Sequence, residues 1–331
     1  MPKLRKRRGK CWIGFDLGGT KMLATVFDAE FHPLGTSRQK TKGLYGVKAV
    51  LGRIQQAIEN ALEDAHVKPS QIAGLGFGFP GSLDLTRGVV LSAPNLGWRN
   101  VTLKRWLDKH FSFPSLLVND VDAGAYGEYR FGAGRGARCL VGVFPGTGIG
   151  GACIYDGRLI RGATTSAFEI GHLKVQSNGR LCGCGKFGCL ETVASRLAIA
   201  SEVAAAIYRG EAEVMRELAG TDLSSIKSAV LAAAIKKGDA TVNAIVRNAA
   251  RLLGSGVAAA VNLMAPDRVV LGGGLVEAMP KLYLEEVRRG MEPAALTPFL
   301  HDVRLVAAAL GDDAGVLGAA ALAAEEFGGG R

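Results

Sequence analysis

Two stretches of this chain follow one plan, and that repetition limits what it can fold into. Residues 12–17, WIGFDL, are a short apolar run closing on an acid, with Leu17 after it. Gly18, Gly19, Thr20 and Lys21 follow, and MLATVFD then resumes strand character. Residues 140–160, LVGVFPGTGIGGACIYDGRLI, do the same: apolar strand, a turn at Gly146, Thr147 and Gly148, apolar strand, an Asp-Gly turn and a short last strand. Strand, glycine turn, strand reads as a hairpin. Two copies of it predict two similar halves facing one nucleotide. Turns of glycine and threonine let backbone N–H groups approach phosphate oxygens closely. The first turn is not a Walker loop, because no helix with Gly-Lys-Ser/Thr follows it. Asp16, at the end of its strand, is placed to hold a magnesium ion through water.

The stretch from Glu169 to Glu191, EIGHLKVQSNGRLCGCGKFGCLE, concentrates a different chemistry. It holds Cys182, Cys184 and Cys189, with His172 upstream of them. Three thiolates and one imidazole make a closed four-ligand set of the kind that holds structural zinc. Gly183, Gly185 and Gly188 interleave with the cysteines and let a short loop turn tightly enough to aim several sulfurs at one point. Two other readings stand beside this one. The cysteines can be small buried core residues, although so glycine-rich a segment has little core to offer. A disulfide is the other, although Cys182 and Cys184 are too close in sequence to make a good pair and no secretory signal is present.

Glu-x-Gly-His followed by Cys-x-Cys-Gly-x-x-Gly-Cys-x-Glu resembles the signature of the ROK family, which groups sugar kinases with sugar-responsive repressors. Asp16-x-Gly-Gly-Thr-Lys21 resembles the first phosphate motif of the superfamily of sugar kinases, actin and heat-shock ATPases, and Gly146–Gly148 resembles its second. Pro145 before that second turn departs from the pattern. The resemblance implies zinc on His172, Cys182, Cys184 and Cys189, and sugar contacts from Glu169, His172 and Glu191. It puts a catalytic base at Asp120, with Asn119 beside it on the sugar, and the loops at Gly81 and Asn95 near the sugar. It puts the donor phosphates on Gly18, Gly19, Thr20, Lys21 and Gly146–Gly148, with Asp16 near the metal, and the adenosine on Gly272, Gly273 and Gly274. The implied fold is α/β, with two ribonuclease-H-like (actin/hexokinase-type) domains and an active cleft between them. Residues 1–121 and a C-terminal helix at 316–331 form the small domain, and 122–315 the large one with the zinc loop.

The rest of the chain fits an α/β reading. Val47, Val50, Leu51, Ile54, Ala57, Ile58, Ala61 and Leu62 follow helical spacing over 47–66. Ile72–Phe79 reads as a glycine-rich strand running to Pro80-Gly81. Asn95, in a Pro-Asn-Leu-Gly-Trp loop, serves either a sugar or ordinary turn chemistry. Ser115–Val118 reads as a strand, so Asp120 falls at a strand's carboxyl end and a helix's start, where open α/β sheets bind ligands. An aspartate there can also be an N-cap, a task Asp122 is available for. Helices are expected over 192–208, 222–237 and 240–263, the last weakened by Gly254 and Gly256 unless another backbone packs closely. A strand at 268–271 runs into Gly272–Gly274, which suits a flat adenine or ribose. A strand is expected at 303–310 and a helix at 316–327, with Asp312 and Asp313 read as N-caps rather than metal ligands.

Length and composition exclude other classes. A chain of 331 residues suggests two domains. With 48% hydrophobic and 21% charged residues it is globular. No apolar run reaches membrane-spanning length, and no apolar leader opens the sequence, so a cytoplasmic protein is expected. Cys11, Cys139 and Cys153 outside the zinc segment fit a reducing compartment. The net charge is +10, but Lys3, Arg5, Lys6, Arg7, Arg8 and Lys10 crowd into the first ten residues. That run reads as a solvated tail rather than an arm for nucleic acid, and only 7% of residues are aromatic. The first core strand starts near Trp12, ahead of which a repressor of the family would carry a helix-turn-helix domain.

The expected activity is therefore ATP-dependent phosphorylation of a hexose at its 6-hydroxyl, most simply glucose. Fructose, mannose or N-acetyl hexosamines are the other acceptors, and polyphosphate the other donor. A non-enzymatic sugar sensor is the reading from the family's other half. ATP, Mg2+ and structural zinc are the expected cofactors. A sugar and a nucleotide are the expected partners, without nucleic acid or membrane, in a homo-dimer or tetramer.

Overall fold

The structure, a computed structural model, describes residues 10–43 and 46–329. The basic run up to Arg8 lies outside the described residues. The chain begins with the strands Cys11–Leu17 (β1), Lys21–Phe27 (β2) and Pro33–Lys40 (β3) and the helix Val47–Asp64 (α1). Ile72–Phe79 (β4) follows, then three short strands, Ser82–Asp84 (β5), Val89–Ala93 (β6) and Trp98–Val101 (β7). Leu103–His110 (α2), Ser115–Asn119 (β8) and Asp120–Phe131 (α3) come next. Cys139–Pro145 (β9), Ile149–Tyr155 (β10) and Arg158–Leu159 (β11) form the second hairpin region. The helices Glu191–Ala194 (α4), Arg196–Tyr208 (α5), Glu213–Ala219 (α6), Ser228–Lys236 (α7) and Ala240–Met264 (α8) follow. The chain closes with Arg268–Leu271 (β12), Gly274–Ala278 (α9), Pro280–Met291 (α10), Thr297–Asp302 (α11), Arg304–Ala307 (β13) and Asp313–Phe327 (α12). No helix among the described residues is long and apolar enough to cross a membrane.

The repeated plan in the sequence becomes two sheets of one design. One has the order β3-β2-β1-β4-β8 and the other β11-β10-β9-β12-β13. In the first, β1 pairs antiparallel with β2 and parallel with β4, and β4 pairs parallel with β8. In the second, β9 pairs antiparallel with β10 and parallel with β12, and β12 pairs parallel with β13. Both are ribonuclease-H-like sheets in a mixed α/β chain. Contacts divide the chain into two compact units: Met1–Gly132 with Leu159–Ala167 and Asp312–Arg331, and Ala133–Arg158 with Phe168–Gly311. The sequence-based boundaries at 121 and 316 fall inside α3 and α12, and both helices belong whole to the first unit.

In the first unit, α1 turns Val50, Ile54, Ala57, Ile58, Ala61 and Leu62 into the core, the spacing the sequence predicts. The opposite face of the sheet carries α12, and two glycines set how close it lies. Gly14 of β1 and Gly76 of β4 are register partners. A Cβ on Gly14 would stand 1.9 Å from the carbonyl oxygen of Val316, and one on Gly76 would stand 1.8 Å from that of Ala319. The glycine-rich character of β4 is explained at Gly76 by this helix seating. In the second unit the same logic answers the doubt about Gly254. A Cβ there would meet the Val287 carbonyl oxygen at 2.2 Å, so α8 tolerates the glycine because α10 packs backbone to backbone against it.

Several elements differ from expectation. The helix expected at 192–208 breaks at Ser195, whose hydroxyl caps α5 by accepting from the N–H of Ala198 at 3.1 Å. The Pro-Asn-Leu-Gly-Trp loop is a single turn at Pro94–Leu96 between β6 and β7, which join β5 in a small sheet of order β5-β6-β7. α12 starts at Asp313, three residues ahead of the expected 316.

Candidate active-site elements and thiol cluster

In the first unit, the predicted site residues gather at the carboxyl ends of β1, β4 and β8. Asn119 ends β8 and is the N-cap of α3. Its side-chain oxygen accepts from the N–H groups of Val121 at 2.9 Å and Asp122 at 3.2 Å. The cap is thus neither Asp120 nor Asp122. Asp120 is the first residue of the helix, and its Oδ1 accepts from Val121 N–H at 3.0 Å. The Asn119 amide nitrogen donates to the Gly81 carbonyl oxygen at 3.4 Å, which ties the Gly81 loop to the base-bearing end of β8. Asn95 lies against the first glycine turn, since a Cβ on Gly19 would be 3.8 Å from that of Asn95.

Asp16 sits beside Asp120, and its carboxyl is pushed up to about 7. Burial is the main cause, and the charges of Asp120 and Asp312 add to it against the counteracting Lys21. The helix α12 makes the burial possible: a Cβ on Gly315 would be 2.9 Å from the Asp16 carboxyl carbon. Two neighbouring carboxylates with surplus negative charge are a donor set for a hard divalent cation such as magnesium. The raised value also has a cost in stability. The native state holds a proton on Asp16 that the unfolded chain, with the ordinary value of 3.8, has already lost. Stability therefore falls as pH rises from about 4 to about 7 and stays lower above that. Asp16→Asn is expected to remove this slope, raising the melting temperature by ~2–4 °C at pH 8 without magnesium and by nothing at pH 3.5. Melting curves across that range test it, and an unchanged slope in the variant would sink the assignment.

The loop before α12 holds residues that sequence reasoning misassigned. Asp312 stands at the N-cap position but makes no side-chain cap bond. It pairs instead with Lys21 of the first glycine turn and, at 2.8 Å, with Arg38 of β3. These two hydrogen bonds hold its carboxyl below the usual range. An acid some 290 residues along the chain thus fixes the Lys21 ammonium. The sequence carries no local signal for that pairing.

Both glycine turns have the character of an anion cradle. The first is closed by Gly18 N–H donating to the Lys21 carbonyl at 2.8 Å, and Thr41 hydroxyl donates to the Gly18 carbonyl at 2.7 Å. The second is closed by Gly146 N–H donating to the Gly148 carbonyl at 2.8 Å. Among the described residues no acceptor takes the N–H of Gly19, Thr20, Thr147 or Gly148. Unpaired N–H groups in successive turn positions make a concavity that suits phosphate oxygens. Pro145, whose role the sequence left unexplained, is the last residue of β9 and pairs with Ile149. A Cβ on Gly273 would be 2.9 Å from its carbonyl oxygen. Gly272 and Gly273 therefore have a packing reason of their own against the end of β9.

The second unit brings the thiol cluster together. The ligand atoms of His172, Cys182, Cys184 and Cys189 all lie within 4.8 Å of one another. Cys184 and Cys189 sulfurs are 3.7 Å apart, and Cys182 Sγ is 3.7 Å from His172 Nδ1. A tetrahedron with metal–sulfur bonds of ~2.3 Å has edges of ~3.7 Å. The six cysteines are all free, and 3.7 Å is far beyond a disulfide bond. Burial pushes the Cys182 thiol up to about 12, while the Lys186 N–H holds Cys184 below the usual range. One imidazole and three cysteine sulfurs gathered this closely are a donor set that fits zinc.

Glu191 links this cluster to the second glycine turn. Its Oε2 accepts from Ile149 N–H at 3.0 Å and its Oε1 lies 3.6 Å from Cys182 Sγ. A Cβ on Gly148 would be 2.2 Å from that Oε2, so only glycine leaves room for the carboxylate. Thr147, Cys182 and Glu191 line one pocket of about 570 Å³ together with Ser195, Ala198 and Ser201 of the next helix. None of Gly272–Gly274 lines it. Glu169 and His172 lie one short turn apart, with His172 N–H donating to the Glu169 carbonyl at 3.0 Å. Phe168, just before them, is held in the left-handed region at φ 64°. Such strain in a non-glycine residue clusters at functional sites, and nothing in the sequence marks it.

Residues 12–326 match the ROK family. The chain belongs to it. A glucokinase of Streptomyces coelicolor is 34% identical over 316 residues, covering 95% of this ROK chain and 97% of that protein. A glucokinase of Thermotoga maritima is 33% identical over 99% of this chain and all of its own. A ROK family glucokinase from Streptomyces griseus, solved with glucose and AMPPNP, superposes with a TM-score of 0.82 at 33% identity, over 95% of this ROK chain and 99% of that one.

Proposed function

We propose that this ROK protein is an ATP-dependent glucokinase, transferring the γ-phosphoryl group of Mg-ATP to the 6-hydroxyl of glucose. The observation that carries the reading is the assignment of tasks at the β8–α3 junction. Asn119 supplies the helix cap, so capping does not account for Asp120, which stands beside the half-buried Asp16. Full-length similarity to glucokinases supports the same reading.

Phosphoryl transfer through a loose transition state asks the protein for position and charge rather than covalent chemistry. Asp120 accepts the proton of the attacking hydroxyl, late in the transfer. Asp16 faces the magnesium that arrives with ATP. Lys21, steadied by Asp312, and the free N–H groups of Gly19, Thr20, Thr147 and Gly148 take phosphate oxygens. Glu169 and His172 hold sugar hydroxyls, as do Glu191, Asn119, Gly81 and Asn95 in the family pattern. His172 Nδ1 faces Cys182, which leaves Nε2 for the sugar in a fixed tautomer. Zinc, when bound by His172, Cys182, Cys184 and Cys189, closes the loop that carries those side chains. Glycines 272–274 take the adenosine. Thiolate ligands and an ATP donor both suit the cytoplasm.

The test is ADP release from Mg-ATP across a panel of glucose, fructose, mannose and N-acetyl hexosamines, repeated with polyphosphate as donor. Glucose with ATP is expected to give the highest kcat/KM. Sugar binding without ADP release from any member would replace the kinase reading with that of a sugar sensor.

A further inference from the structure

Arg196 is the first residue of α5, and it is fastened to the second glycine turn at two points. Its backbone N–H donates to the Gly146 carbonyl at 2.9 Å, and its guanidinium Nη2 donates to the Thr147 hydroxyl at 2.8 Å. Five other arginines in and around the helices of the second unit pair with carboxylates. Arg209 pairs with Glu211, Arg216 with Glu213, and Arg247, Arg251 and Arg289 with Glu286. Arg196 has no carboxylate within ion-pair distance among the described residues. A guanidinium has five N–H donors, and one neutral hydroxyl satisfies only one of them. The half-buried Arg196 is therefore an uncompensated cation on a turn whose Thr147 and Gly148 N–H groups also lack acceptors. Because the Thr147 oxygen accepts from Arg196, its own hydrogen is directed toward a further acceptor. Cation, hydroxyl and two amides are the donor set of a phosphate site.

We propose that Arg196 is a ligand of the donor's terminal phosphates, binding β- or γ-phosphate oxygens at the second glycine turn and orienting the Thr147 hydroxyl toward them. The inference rests on the reading of that turn as a phosphate cradle. Charge-assisted bonds from guanidinium to phosphate are among the strongest polar contacts available, and Arg196 is held in place before the ligand arrives, which lowers the cost of binding.

Calorimetry on the full chain with Mg-ADP, Mg-AMPPNP and AMP tests it in the wild type, Arg196→Gln and Arg196→Lys. Glutamine can still donate to Thr147 but carries no charge, whereas lysine keeps the charge. Arg196→Gln is expected to lose roughly ten- to a hundred-fold in affinity for Mg-AMPPNP, with AMP changed less than two-fold. Arg196→Lys should recover most of the loss, and the loss should shrink in high salt. Wild-type affinity in Arg196→Gln would overturn the proposal while leaving the kinase reading intact. Equal weakening of all three nucleotides in both variants would also overturn it, because Arg196 would then be only a brace. A wild type that does not prefer Mg-ADP or Mg-AMPPNP over AMP would remove the cradle, and with it both readings.

Discussion

Replacing Asp120 by asparagine is expected to remove nearly all turnover while leaving the fold and glucose binding in place. Asparagine keeps the shape and the oxygen that accepts from Val121 N–H at 3.0 Å. It cannot take a proton at neutral pH. Loss of a general base typically costs a factor of about 10² to 10⁴, and here the loss should fall on kcat and not on the KM for glucose. A purely structural Asp120 predicts something else. The cap of α3 is Asn119, so a structural Asp120 contributes a favourable charge in the first turn beside the bond from Val121 N–H that asparagine keeps. Asparagine would then change stability by ~0.5 kcal/mol and turnover hardly at all. Removing the Asp120 charge also lowers the electrostatic load on Asp16, which offsets even that small loss. Steady-state kinetics with glucose and Mg-ATP, a glucose titration and a melting curve on the one variant separate the two cases. Near-normal kcat would overturn both the base assignment and the kinase reading built on it.

What could be read in advance followed from periodicity and from chemistry packed closely along the chain. The hairpins at 12–35 and 139–161 announced two similar halves because strand, turn and strand are local, and the sheets formed from them share one order. The four thiol-cluster ligands were legible because they fall within eighteen residues of one another in sequence. Features that depend on distant pairing were not. Asp312 looked like an N-cap because the local context, Gly-Asp-Asp-Ala-Gly before a helix, is cap chemistry. Its real partners, Lys21 and Arg38, sit at the opposite end of the chain. Asn119 as cap was missed for a related reason. Asparagine, Asp120 and Asp122 all suit that task, and only the backbone turn decides which side chain meets the Val121 and Asp122 amides. The glycines of β1 and β4 gave no local sign of what approaches them, because glycine admits a ligand or another backbone alike. At Gly14 and Gly76 the seating of α12 accounts for them.

The thiol cluster yields the second large effect, because metal binding and sugar binding meet in one side chain. Protein purified without added zinc is expected to hold about one zinc per chain, since three thiolates and an imidazole leave no open position for water. His172→Ala should lose the metal and the sugar contact together. Zinc content should fall well below one per chain, and glucose affinity should drop by on the order of 100-fold, combining a lost ligand with a lost hydrogen bond. That variant alone does not say which loss matters. His172→Cys does. The nitrogen facing Cys182 is Nδ1, the ring nitrogen nearer the backbone, so a cysteine sulfur at the same position reaches toward the same point. Four cysteines are themselves a common structural zinc set. His172→Cys is therefore expected to keep its zinc and its melting temperature but to lose the imidazole hydrogen bond, at a cost of ~10-fold in glucose affinity. Metal analysis beside glucose titration gives the answer in both variants. If His172→Ala keeps a full zinc complement while glucose affinity falls, the histidine serves the sugar alone and the cluster is a three-thiolate site. If both variants bind glucose as the wild type does, His172 is a metal ligand only, and sugar recognition lies with Glu169 and the carboxylate of Glu191 that rests against Gly148.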